Sequence, residues 1–96
     1  MFKKKKTPID WNLNYEFIVW LNKWFKIYKK NASKVVDLEY FKFDYKGKKY
    51  TQLEIINRVI YLTGTVIEKE GYLDNHEEII DEIFDLFRLI FGYMWW

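Results

Sequence analysis

The residues able to do chemistry are few. Histidine occurs once, as His76, serine once, as Ser33, and cysteine not at all. Without cysteine there is no disulfide, no thiolate metal site and no thiol nucleophile, a usage that fits a reducing cytosol. Ser33 falls in a linker with no base near it in sequence, so no nucleophilic triad assembles. His76 stands in the run Asn75-His76-Glu77-Glu78, at the expected start of a helix. Adjacent helical positions point to different faces, so this run is a cap or a solvated turn rather than a metal site. Glu78, Asp81, Glu82 and Asp85 have the spacing to pair as acid and base, yet they lie opposite an apolar stripe, where nothing in the sequence shifts their pKa. Lys46-Gly47-Lys48 carries a single glycine and opens no phosphate-binding helix. The expectation is a protein with no catalysis, no cofactor and no metal.

Binding is better served. One candidate surface is the acidic helix face Glu77, Glu78, Asp81, Glu82 and Asp85 together with Trp95 and Trp96. Carboxylates in a row beside aromatic anchors suit docking on a larger protein. An inhibitor or accessory protein of a phage or mobile element, acting on a host or defence protein in the manner of an anti-CRISPR protein, would have this size and lack of catalytic inventory. The two tryptophans either fold back on the core or anchor a partner or a second copy, giving a homodimer through the C-terminal aromatics. The alternative surface is a basic hairpin. Lys42, Lys46, Lys48 and Lys49 interleave with Tyr45 and Tyr50, and with Tyr40, Phe41 and Phe43, the mix of charge and stacking surface that binds single strands or RNA. The plainer reading of the same residues is sheet core plus lysines guarding an edge strand. A membrane-surface role is disfavoured, because the acidic helix beside the tryptophans would be repelled by anionic lipid. No apolar run is long enough to span a bilayer, and no signal peptide follows Lys3 to Lys6.

Charge is divided along the chain. Residues 1–50 hold thirteen lysines against five acids, and residues 51–96 hold three basic residues against nine acids. The two halves either lie together and neutralise, or form separate patches. Ninety-six residues, 22% of them aromatic, make one domain with a core of large rings. Abundant Lys, Ile, Asn, Phe and Tyr with little Ala, Arg or Pro point to an AT-rich genome.

The elements that must position these residues follow from periodicity. Residues 1–9 read as a flexible basic tail and residues 10–96 as one globular domain. Asp10 is the expected N-cap of a helix from Trp11 to about Lys30, with Leu13, Phe17, Trp20, Leu21, Trp24, Ile27 and Tyr28 on the apolar face and Asn22 opposite. Val36, Leu38 and Tyr40 alternate as in a strand, and Phe41, Phe43 and Tyr45 continue one residue out of step, which predicts a bulge near Tyr40 and Phe41. Asp44-Tyr45-Lys46-Gly47 predicts a type I turn with glycine in the left-handed position, and a short strand returns to Thr51. Thr51 and Glu54 form a capping box for a helix reaching Glu70, with Leu53, Ile55, Ile56, Val59, Ile60, Leu62, Val66 and Ile67 inward. Gly64 invites a helix-turn-helix reading, but the apolar phase passes through it without a skip. After Gly71, Asp74 or Asn75 caps a last helix from His76 to about Gly92. The fold class is therefore α+β in the order α-β-β-α-α, three amphipathic helices packed with one two-stranded antiparallel hairpin.

Overall fold

The structure, a computed structural model, describes the backbone of residues 8–69 and 74–94, with side chains from residue 15 onward in those segments. The elements are α1 (Pro8–Ala32), β1 (Lys42–Tyr45), β2 (Lys48–Thr51), α2 (Gln52–Glu68), α3 (His76–Ile90) and a closing 3-10 turn (Phe91–Tyr93). This is the expected α-β-β-α-α order, with β1 and β2 paired antiparallel. The basic tail through Thr7, the Gly71 stop and the two terminal tryptophans lie outside the described residues.

The capping box sets the start of α2. The Thr51 hydroxyl accepts from the Glu54 amide at 3.1 Å, and the Glu54 carboxylate accepts from the Thr51 amide at 2.8 Å, which satisfies two amides that the first turn would otherwise leave open. Ile55, Ile56, Val59, Leu62 and Val66 are buried, and Leu53, Ile60 and Ile67 are packed at the margins of the core. The helix runs unbroken through Gly64, so no helix-turn-helix forms there.

α1 lies antiparallel to α2, because Tyr15 reaches the Ile67 carbonyl at one end while Tyr28 meets Gln52 at the other. Between them the Asn22 amide donates to Thr63 Oγ1 at 2.9 Å and to the Ile60 carbonyl at 3.1 Å. Asn22 is thus buried rather than solvent-facing. The phase of α1 is rotated from the sequence expectation: Ile18, Leu21, Phe25, Tyr28 and Ala32 form the inner stripe, while Trp20 and Trp24 are 51% and 44% exposed. Hydrophobicity alone cannot separate the two stripes, and Asn22 with Thr63 decides between them by finding each other's hydrogen-bonding groups. The helix also begins before Asp10, at Pro8, a residue suited to a first turn because its missing amide is not needed there.

Residues 36–40 are not a strand. The Val35 and Val36 amides bond back to the Ala32 carbonyl, the Asp37 carboxylate accepts from the Glu39 amide at 2.9 Å, and the Tyr40 amide bonds to the Asp37 carbonyl. Asp37 thus closes a local turn by its own side chain, a use of aspartate that competes with strand formation. Leu38 plugs the core, and its carbonyl receives the Leu53 amide at 2.8 Å. With β1 starting only at Lys42 there is no bulge at Tyr40 and Phe41. The hairpin turn differs too. Tyr45 pairs with Lys48, leaving Lys46 and Gly47 as a two-residue loop with φ of 51° and 83°. Two consecutive positive φ values are what the right-handed twist of a tight hairpin demands.

α3 runs antiparallel to α2, and so parallel to α1. Ile83, Leu86 and Ile90 are its buried stripe. The chain then turns so that the Tyr93 carbonyl accepts from the buried Gln52 amide at 3.1 Å, and the Tyr93 ring meets Phe41 and Phe43 at 5.2 and 5.0 Å. Among the described residues no helix is long and apolar enough to cross a membrane.

Candidate partner-binding surfaces

A cleft of about 340 Å³ opens where the hairpin turn meets α2 and α3, lined by Tyr45, Lys46, Tyr50, Glu54, Ile55, Arg58, Glu82 and Leu86. Strand alternation places it. Phe43 and Tyr45 face the helices from β1, with Tyr50 paired opposite Phe43, while Lys42, Asp44 and Lys49 face away. Ile55 and Leu86 form the apolar floor, and the phenol rings form a wall. Arg58 and Glu82 bridge α2 to α3 fork to fork, with Nε to Oε2 at 2.7 Å and Nη2 to Oε1 at 3.3 Å. The guanidinium also lies 5.6 Å from the centre of the Tyr61 ring.

The carboxylates of α3 act on the Tyr45 phenol at the edge of this cleft. The Tyr45 hydroxyl donates to Asp85 at 3.3 Å. Burial first, then the charges of Asp85, Glu82 and Asp81 together with the hydrogen bond to Asp85, push the phenol up to about 12. Tyr45 therefore stays a neutral donor at any physiological pH. The hydrogen bonds that Arg58 donates to Glu82 hold it above its ordinary value, against the burial that would lower it. Lys46 sits over the Tyr45 ring, 5.5 Å from its centre. The arrangement can receive a cationic side chain between phenol faces and carboxylates.

The cleft joins parts of both sequence-derived candidate sets. From the acidic face it takes Glu82, with Asp85 at its edge, while Glu77, Glu78 and Asp81 stay exposed along α3. From the hairpin it takes Tyr45, Lys46 and Tyr50, and leaves Lys42, Lys48 and Lys49 outside it. Lys49 pairs with Asp44 at 2.8 Å, both well exposed. The basic and acidic halves are joined across this cleft by the Tyr45 to Asp85 hydrogen bond, whereas the ion pairs seen among the described residues stay within each half. Trp95 and Trp96 lie outside the described residues. Among those residues no three His, Asp or Glu side chains are grouped to hold a metal ion, and His76 is exposed at the start of α3. The sequence reading gave Glu54 only its capping-box role and Arg58 no part in a site; their spacing of one helical turn was the available signal.

A second surface lies on the far side of α3. Phe17 stacks on Phe84 across the α1 to α3 seam, with ring centres 5.5 Å apart and planes 3° from parallel, and Trp20 extends the stack at 5.9 Å. Further along, Phe25 meets Phe87 at 5.9 Å and Phe87 meets Phe91 at 5.5 Å. Phe84 and Phe91 are 47% and 66% exposed. Comparison of the chain with known protein families, curated proteins and solved structures finds no match.

Proposed function

We propose that this chain is a small, non-enzymatic protein-binding module whose cleft takes a lysine or arginine side chain from a basic segment of a larger protein. The carrying observation is that the rings of Tyr45 and Tyr50 share one cleft with the carboxylates of Glu54 and Glu82, at the edge of a helix bearing Glu77, Glu78, Asp81 and Asp85. Of the cations already there, Arg58 is neutralised by Glu82 and Lys46 lies against the Tyr45 ring. The carboxylates of Glu77, Glu78, Asp81 and Asp85 on the neighbouring face of α3 would draw a basic partner toward this edge of the cleft. Arg58 itself, gripped by a carboxylate and lying over a tyrosine, is the pattern an incoming guanidinium would repeat. The short chain, its AT-rich residue usage and its lack of cysteine support a cytoplasmic inhibitor or accessory protein of a phage or mobile element.

The test is an NMR titration of the labelled protein with three probes: an arginine-rich peptide, a glutamate-rich peptide and a mixed-sequence single-stranded oligonucleotide. Shifts at Tyr45, Tyr50, Glu54 and Glu82 are expected with the arginine-rich peptide, fading as salt rises. Tyr50→Ala should weaken that binding about tenfold, the loss of one cation–π contact held among carboxylates. Absence of shifts in the cleft at low salt would overturn the reading. Shifts at Lys42, Lys46, Lys48 and Lys49 with the oligonucleotide would put nucleic acid in the partner's place.

A further inference from the structure

We propose that the outer face of α1 and α3 joins two copies of this chain in an antiparallel two-fold dimer. This face is separate from the cleft and stands or falls independently of it. Its centre is apolar: Trp20, Trp24, Phe84 and Phe91 are all between 44% and 66% exposed, and Trp20 and Phe84 are tied into one stack through Phe17. A contiguous group of large exposed rings marks an interaction surface on a soluble domain.

The charges around the rings say what covers them. At 100° per residue, Glu16 and Lys23 lie within about 60° of Trp20 on α1, and Asp81 and Arg88 lie within about 60° of Phe84 on α3. All four are exposed. Because α1 and α3 run parallel, Glu16 and Asp81 share one end of the face, with Glu77 beyond them. Lys23 and Arg88 share the other, with Lys30 beyond. The face is acidic at one end and basic at the other, with rings between.

Such a face is complementary to itself turned end over end. A two-fold axis crossing the helices at Trp20 and Phe84 brings Lys23 opposite the partner's Glu16 and Arg88 opposite the partner's Asp81, while the rings close on one another. The competing face-to-face two-fold, with its axis along the helices, lays α1 over the partner's α3 and sets Lys23 beside the partner's Arg88 and Glu16 beside the partner's Asp81. Like charges then meet at both ends. Only the antiparallel arrangement satisfies rings and charges together.

Sedimentation equilibrium over a range of protein concentrations at low and high salt tests this directly. A mass twice that of the chain is expected at low salt, shifting toward the single-chain mass on dilution and on adding salt. Trp20→Gln with Phe84→Gln should weaken association tenfold or more, with circular dichroism confirming that these exposed positions leave the helices intact. Arg88→Glu alone should also weaken it, by facing the partner's Asp81 with a like charge, and adding Asp81→Arg should restore it. The pair Lys23→Glu and Glu16→Lys gives an independent copy of the same swap on α1. A chain that stays single at every concentration would overturn the proposal, as would charge swaps that fail to restore what the single reversals remove.

Discussion

Where α1 lies along α2, the seam is closed by Ile18, Leu21, Phe25 and Tyr28, with Asn22 as its central polar stitch to Thr63 and the Ile60 carbonyl and with Tyr15 to Ile67 and Gln52 to Tyr28 at its two ends, and every buried side-chain polar atom among the described residues has a hydrogen-bond partner. Where α1 lies beside α3, the same helix offers Phe17, which stacks on Phe84, and Trp20, which stacks on Phe17, with Trp24 one turn further along, and Trp20 and Trp24 remain open to solvent. One seam is saturated and the other is not. Side chains buried from both helices close the first seam, whereas the stack of Phe17, Trp20 and Phe84 leaves ring surface exposed. The first seam stabilises the fold, and the second leaves apolar area available to something outside it.

Substitutions on α1 should separate the two seams. Phe25→Ala removes a ring that is 2% exposed, and unfolding in denaturant should show a loss of about 3–5 kcal/mol. Trp20→Ala, one and a half turns away on the half-exposed side, should lose no more than about 1 kcal/mol in the same experiment. Equal losses would break the distinction. Asn22→Ala opens the polar stitch and should lose about 1–3 kcal/mol, since the groups it served stay buried.

Gly64 sharpens the comparison from the other side. A methyl group there would stand 3.7 Å from the Asn22 amide nitrogen, an ordinary contact. Gly64→Ala should therefore raise stability by about 0.5–1 kcal/mol, through the backbone freedom it removes from the unfolded chain and the better helix former it supplies. A loss instead would mean that the α1 to α2 seam is tighter than this spacing allows.

The smallest effect is a pH dependence at the cleft. With its folded pKa raised to about 12 from an ordinary 10, Tyr45 keeps its proton in the folded state after the unfolded chain has released it. Its contribution to stability is complete below pH 10 and is lost as pH rises through about 12. Tyr28, raised by burial, adds a slope of the same sign. Tyr45→Phe should flatten the alkaline fall in stability measured by thermal melts, and should remove one late-titrating phenol from the ultraviolet absorbance curve. An unchanged slope would show that Asp85 does not hold that hydroxyl.

Much of the scaffold was legible because it depends on neighbours in sequence. Thr51 and Glu54 announce α2 by themselves, and Ile79, Ile80, Ile83, Phe84, Leu86, Phe87, Ile90 and Phe91 at helical spacing announce α3, although of these Ile83, Leu86 and Ile90 are the buried stripe and Phe84 and Phe91 are exposed. What could not be read depends on neighbours in space. Trp20 and Phe25 are equally hydrophobic in a wheel diagram, and only the meeting of Asn22 with Thr63 turns the helix so that one is inside and the other out. Val36, Leu38 and Tyr40 alternate like a strand, yet Asp37 bends them into a turn whose purpose is to deliver Leu38 to the core. The cleft is assembled from a hairpin, a middle helix and a last helix, so the one-turn spacing of Glu54 and Arg58 could not by itself show the site that Glu82 and Tyr45 complete.

The Tyr93 clasp has a bearing on synthesis. Phe43 lies early in the chain but gets its roof from Tyr93, and Gln52 has its amide satisfied by a carbonyl made forty-one residues later. A nascent chain that has not yet passed that point carries an unroofed ring and an amide left with only the longer hydrogen bond to Tyr28, at the very junction of hairpin and middle helix. Folding from the ribosome should then be a late event, with the hairpin waiting for the last turn to arrive, and a chain halted short of Tyr93 should be prey for proteases.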